Sequence, residues 1–204
     1  MMITSIKEYR RGKRLICLND EPAFVLYPKE VKYYSLVEGE ELSDESFELI
    51  KEELLLKRCK SRMLHLIDKV DKTESEIRDK LKDEMYPPDV IDKALEAAKK
   101  GRYVDDERYA HQYVYEKTKG KSRRMVSYQL AGKGVPEELI QKALEDIPDN
   151  EEELIKKQIL KKHLHLSELT YEDRQKLLSG LCRKGFDTDK CIRVLRELTA
   201  SEIS

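Results

Sequence analysis

Between Ser122 and Leu144 the chain reads SRRMVSYQLAGKGVPEELIQKAL, and this window decides the fold. Ser122 suits a helix N-cap, because its hydroxyl can accept a hydrogen bond from an orphan N–H of the first turn. Val126 and Leu130 follow one helical turn apart on one face. Gly134 marks a stop, since glycine enters the left-handed conformation that ends helices. Lys133 beside it suits the negative end of the helix dipole. Val135 is an apolar plug and Pro136 a favoured helix start. Ile140, Ala143 and Leu144 then give the next helix a buried face.

The same window recurs on both sides without a gap. Aligning Leu81, Leu130 and Leu181 brings Thr73, Ser122 and Asp173 to the N-cap position. Thr73 and Glu76 form a capping box. Ile77, Val126 and Leu177 match, as do the stops at Met85, Gly134 and Gly185 and the plugs at Tyr86, Val135 and Phe186. The second helix starts at Pro87, Pro136 or Asp187. Its inward faces are Ile91/Ala94/Leu95, Ile140/Ala143/Leu144 and Cys191/Val194/Leu195. A further helix precedes each copy, over 45–70, 106–119 and 150–165; the first is capped by Ser43. The unit is three helices, repeated three times. One such unit leaves apolar surface exposed, and stacked neighbours cover it. The expected fold is mainly α: three tandem three-helix repeats in an elongated curved array, with a small N-terminal β hairpin or sheet. The expected divisions are 1–42 for the β-rich segment and 43–100, 101–147 and 148–204 for the repeats.

The N-terminal segment has a different texture. Runs rich in β-branched and aromatic residues span 3–9, 14–18, 24–27 and 32–37, separated by turn signals at 11–13, 19–22 and 27–28. They predict a hairpin or three-stranded sheet. It is too small to stand alone and should lean on the helices or on a partner. It reads as a structural appendage.

The 204 residues carry 40 Lys+Arg and 41 Asp+Glu, a net charge of −1, so any attraction to a polyanion must come from local patches. Cys17, Cys59, Cys182 and Cys191 form no C-x-x-C and no zinc spacing, and are expected to be reduced thiols. The N-terminus lacks the apolar core of a signal peptide and no run is long enough to span a membrane, so a cytoplasmic location is expected. His163 and His165 stand two apart, on different sides of a helix, and His65 and His111 stand alone. No metal, cofactor or catalytic site is expected.

Asp105-Asp106 invites a reading as paired carboxylates for acid–base or metal chemistry. The helix start explains more. With Asp105 as N-cap, Asp106 and Glu107 occupy the first turn, and Val104 and Tyr109 take the positions of a hydrophobic staple. Tyr109, Ala110, Tyr113 and Val114 make the apolar stripe.

Thr73-x-x-Glu76-Ile77-x-x-Lys80-Leu81, Gly101-x-Tyr103-Val104-Asp105-Asp106-x-x-Tyr109-Ala110 and Leu130-x-x-Lys133-Gly134-Val135 resemble, in order and spacing, the RecX family of regulators of the RecA recombinase. The likeness covers residues 60–198. Met85, followed by Tyr86-Pro87-Pro88, departs from the lysine-glycine pair that many members carry there. The resemblance implies no catalysis. It implies binding in the groove of the RecA–single-stranded DNA filament and modulation, mostly inhibition, of RecA ATPase, strand exchange and coprotease activity, or promotion of filament disassembly. Regulation of DNA repair, homologous recombination and the SOS response would follow. Asp105, Asp106, Tyr109, Ala110 and Gly134 are read as structural members of the family motif.

From Thr118 to Pro136 there is no acid, while Lys119, Lys121, Arg123, Arg124 and Lys133 are basic. These five are the candidates for contact with the filament or, non-specifically, with DNA phosphates. Two weaker clusters are Lys156/Lys157/Lys161/Lys162 with Arg183 and Lys184, and Lys57/Arg58/Lys60/Arg62. A DNA-reading helix-turn-helix is disfavoured, because the helix after Pro136 carries Glu137, Glu138 and Glu145 and no outward Arg or Asn. The alternative to a recombinase regulator is a general nucleic-acid-binding or helical adaptor protein. A monomer is expected.

Overall fold

The computed structural model describes residues 1–162 and 166–203, without the side chains of Ser167 and Ile203. The chain divides into two compact units, Met1–Asp105 and Asp106–Ser204.

The first unit opens with a three-stranded antiparallel sheet: β1 (Ile3–Tyr9), β2 (Lys13–Leu18) and β3 (Glu21–Leu26), with β2 in the centre. Asn19 and Asp20 turn between β2 and β3 with φ of 49° and 69°, the mirror-image turn whose twist matches its flanking strands. The fourth expected run, 32–37, is not extended. Pro28 pre-sets a helical φ, and the Glu30 carboxylate accepts the Tyr27 N–H at 2.7 Å, so a short helix α1 (Pro28–Tyr33) starts where a turn was expected.

A long helix follows in two parts, α2 (Asp44–Ile50) and α3 (Leu56–Ile67), joined by a widened turn at Lys51–Leu55. In that turn the Leu56 N–H donates to the Lys51 carbonyl five residues back. Ser43 caps α2 through the Ser46 N–H, as its residue type predicts. The helix ends at Ile67, short of the expected limit, and Val70 is 63% exposed. Its buried residues Ile50, Leu55, Cys59 and Met63 pack with Ile3, Ile16, Phe24 and Leu26 of the sheet. The sheet thus gains the apolar support that three short strands need.

Helices α4 (Glu74–Asp83) and α5 (Pro88–Lys100) complete the first repeat. The second unit holds α6 (Asp106–Lys117), α7 (Arg123–Ala131), α8 (Glu137–Glu145), α9 (Glu151–Leu160), α10 (Tyr171–Cys182) and α11 (Thr188–Ile203). The three helix stops have one geometry. The N–H groups of Tyr86, Val135 and Phe186 donate to the carbonyls of Leu81, Leu130 and Leu181 at 3.2, 3.2 and 3.3 Å. The residue before each plug has positive φ: Met85 at 64°, Gly134 at 76° and Gly185 at 86°. All three plugs and all nine inward residues of the second helices are buried.

One expected cap moves. Helix α10 starts at Thr170, not Asp173: the Thr170 hydroxyl accepts the Asp173 N–H at 3.2 Å and donates to its carboxylate at 2.6 Å. Threonine and aspartate are both capping residues, and the threonine one turn earlier takes the role. The end of the expected 150–165 helix, with His163 and His165, lies outside the described residues.

An ion pair recurs in every repeat. Glu52 meets Lys93, Glu107 meets Lys142 and Glu152 meets Arg193, each joining the first helix of a repeat to its third. The three cations occupy one register position of the aligned windows. Such exposed pairs fix geometry more than they add stability. The apolar residues form three clusters, one uniting the sheet with the first repeat and one for each later repeat.

Candidate functional site

The basic segment occupies the end of α6, a loop, and the start of α7. Thr118 is buried and its hydroxyl donates to the Val114 carbonyl at 2.7 Å. Ser122 is buried too; its hydroxyl accepts the Met125 N–H at 3.1 Å, and its own N–H donates to the Lys184 carbonyl at 3.0 Å. The loop between them is therefore held at both ends, and at one end by the third repeat.

The five candidate cations separate into two groups. Arg123 donates to the carbonyls of Leu144 and Ile147, both at 2.8 Å, and so satisfies acceptors at the end of α8. Arg124 donates to the Gly185 carbonyl at 3.3 Å. Both arginines line a cavity of about 230 Å³ that also contains Asp149, Glu151 and Asp187. The acids missing from the linear segment are supplied here by the third repeat. These two arginines tie α7 to its neighbours.

The lysines stand among aromatic rings instead. Lys119 is exposed, with its Nζ 3.9 Å from the Tyr115 ring centroid. Lys121 donates to Gln129 Oε1 at 2.9 Å, an oxygen shared with the Tyr113 hydroxyl at 3.0 Å. Lys133 lies over Tyr109 at 5.8 Å and Lys117 over Tyr113 at 5.6 Å. The rings of Tyr109 and Tyr113 stack at 5.9 Å. Amines over rings in partial exposure are attracted by about 0.5–1 kcal/mol each. Sequence reasoning missed Lys117, Tyr115 and Gln129, and read Tyr109 and Tyr113 only as core. The i, i+4, i+8 order Tyr109, Tyr113, Lys117 was the available signal.

The second cluster joins the first. Lys184 donates to Gln158, whose Nε2 lies 3.9 Å from where a Cβ on Gly120 would stand. Burial, then the charges of Lys162 and Lys161, hold the Lys184 amine below its ordinary pKa. Such mutual repulsion is relieved by an anion. The third cluster lies in the first unit, where Arg58 and Arg62 pair with Glu30 and Glu84.

Helix α6 begins immediately after Asp105, and Asp106 and Glu107 fall in its first turn. Ala110 is buried in the second-repeat cluster, with Tyr109 packed against it; Val104 is buried in the first unit. His111 does not stand alone: its Nδ1 lies 3.2 Å from Asp146. Among the described residues no three His, Cys, Asp or Glu side chains are grouped to hold a metal. Burial first, then Glu84, raises the Cys59 thiol to about 12, and burial raises Cys191 to about 11, so neither is a ready thiolate. No described helix is long and apolar enough to cross a membrane.

Comparison with known proteins agrees with the repeat count. Family models for the first, second and third three-helix domains of RecX match residues 59–96, 105–144 and 149–195. The regulatory protein RecX of Clostridium beijerinckii is 30% identical, with 98% of this chain and 97% of that protein covered. Its namesake from Clostridium perfringens strain SM101 is 29% identical over the same shares. A crystal structure of a regulatory protein RecX superposes with a TM-score of 0.61 at 26% identity, covering 95% of this chain and 98% of that one. The structure of RecX from Lactobacillus salivarius, at 21% identity and a TM-score of 0.55, shares the fold over 71% of this chain.

Proposed function

This chain belongs to the RecX family, and from that premise we propose that it binds the RecA–single-stranded DNA filament in its groove and restrains RecA ATPase, strand exchange and coprotease activity. On this reading it acts in the cytoplasm as a monomer and carries no catalysis or cofactor. The segment 1–42 and the repeats 43–100, 101–147 and 148–204 are its functional divisions. The observation that supports the reading is that lysines of the second unit lie over tyrosine rings or share an acceptor with one, Lys117, Lys121 and Lys133 on the Tyr109/Tyr113 side of α6 and Lys119 beside Tyr115 on another. Lys119, Lys121 and Lys133, joined by Lys117, are the contacts we assign to the filament, and Lys161, Lys162 and Lys184 extend them. Arg123 and Arg124 leave the list of contacts and become the ties that hold α7 in place.

The test is RecA ATPase on single-stranded DNA with added protein. Inhibition at micromolar concentration is expected. A Lys119→Glu, Lys121→Glu, Lys133→Glu variant should lose it at least ten-fold while keeping wild-type helicity. If the wild-type protein leaves the ATPase unchanged, the assignment fails. Tyrosines beside lysines also suit single-stranded DNA, whose bases stack on rings and whose phosphates take the charge. That second reading predicts binding to DNA without RecA, falling steeply with salt.

A further inference from the structure

The N-terminal unit contains a site that the filament reading does not use. A cavity of about 580 Å³ opens between the β1–β2 turn, α3 and the end of α4. Helix α3 contributes Arg58, Ser61, Arg62 and His65, whose spacing places them on one helix face. This face is polar and lines the cavity, while Cys59 and Met63 of the same helix are buried in the core.

The floor of the cavity is fixed and neutralised. Arg62 grips Glu84 through Nε at 2.8 Å and Nη2 at 2.6 Å. Arg58 pairs with Glu30 and lies 5.1 Å from the Tyr27 ring centroid. The Tyr9 hydroxyl donates to the Asp83 carbonyl at 3.3 Å and closes one side.

The rim is different. Arg10, Arg11 and Lys13 come from the β1–β2 turn and face the cavity with one further carboxylate, Asp83, to balance them. Among the described residues none of the three has an ion-pair partner. Arg10 lies 5.8 Å from the Tyr9 ring and Lys13 lies 5.4 Å from the Tyr27 ring. Arg11 is held at φ 59°, a conformation that costs a non-glycine residue energy, in a turn where Gly12 at 71° would suffice for one such residue.

Guanidinium forks and an ammonium on one rim match the geometry and charge of a phosphate. The tyrosine rings beside them match a planar base. The volume falls in the range of about 300–1,000 Å³ typical of small-ligand sites, well above what a phosphate alone would fill. We propose that this cavity binds a nucleotide, with its phosphate on Arg10, Arg11 and Lys13 and its base against Tyr9 and Tyr27. The nucleotide arrives either free or as one unit of a single strand. The site is independent of the filament-contact lysines of the second unit and of RecA.

The experiment is calorimetric titration of the full-length protein with AMP, adenosine, inorganic phosphate and an eight-residue oligothymidylate. The comparison protein is an Arg10→Ala, Arg11→Gly, Lys13→Ala variant. Glycine at position 11 keeps the positive φ, and the three side chains lie outside the core, so the variant should melt as wild type does. Sub-millimolar binding of AMP is expected, weakened at least ten-fold in the variant, with adenosine and phosphate each binding at least ten-fold more weakly than AMP. Binding of the oligonucleotide alone, lost in the variant, supports the site and identifies the strand as its source. No binding of AMP or oligonucleotide at millimolar concentration overturns the proposal. So does equal binding by the variant, or phosphate binding as well as AMP. A Lys119→Glu, Lys121→Glu, Lys133→Glu variant should bind AMP normally, which separates this site from the filament contacts.

Discussion

The stops of the first and third repeats share a backbone path and differ in what surrounds it. Met85 turns with φ 64° and Gly185 with φ 86°, and in both the next N–H returns to the matching leucine carbonyl. A side chain is tolerated at the first. At Gly185 an added Cβ would stand 2.5 Å from the Ser122 hydroxyl oxygen and 2.6 Å from the Met125 Cβ. Glycine in the third repeat thus answers two demands: a left-handed residue, and contact with the start of α7. In the first repeat only the conformational demand applies, and methionine meets it at some strain. A missing glycine in an aligned repeat therefore marks a turn with room beside it, rather than a different turn.

Gly185→Ala is the sharpest way to break this comparison. It should cost about 2–4 kcal/mol, from the left-handed conformation and from overlap with α7. Denaturant unfolding would measure the loss. A cost below about 1 kcal/mol would mean that α7 yields freely and that the close approach does not matter. Arg123→Ala probes the same region from the other side. Removing two charge-assisted hydrogen bonds to carbonyls should cost about 2 kcal/mol. A variant as stable as wild type, yet defective against RecA, would return Arg123 to the contact residues. The smallest effect is expected at the permissive turn. Met85→Gly relieves left-handed strain and adds unfolded-state entropy, for a net gain of about 0.5 kcal/mol. A loss above 1 kcal/mol would mean that the Met85 side chain stabilises its turn.

The fold was readable where its causes are local. The caps at Ser43, Thr73 and Ser122, the left-handed stops and the inward faces depend on residues within a few positions of one another. The errors arose where two local signals competed. Thr170 and Asp173 are both capping residues, and only the surrounding packing decides between them. The stretch 32–37 has strand-forming residues, but Pro28 and Glu30 had already started a helix. The recurring Glu–cation pair lay inside the aligned windows and needed only a comparison of their exposed positions.

The candidate site was readable in part. The lack of acids from Thr118 to Pro136 marks a basic segment, but linear charge does not show which of its cations tertiary packing engages. The carbonyls of Leu144, Ile147 and Gly185 reach Arg123 and Arg124 only through tertiary packing. The cavity rimmed by Arg10, Arg11 and Lys13 was hidden for the same reason: its walls come from residues more than seventy positions apart in the chain.

The widened turn at Lys51–Leu55 has its own consequence. The buried apolar positions on the long helix run Ile50, Leu55, Cys59, Met63, a step of five followed by steps of four, with the buried Lys51 beside the longer step. The longer step re-phases the helix like a slipped tooth on a gear. It also brings the Lys51 amine 2.7 Å from Asp89 of α5. Deleting one residue there would restore an even pitch and rotate everything before it by about 100°. Phe47 would leave the Phe24 ring on which it stacks, and the sheet would lose its seat while the first repeat kept its own.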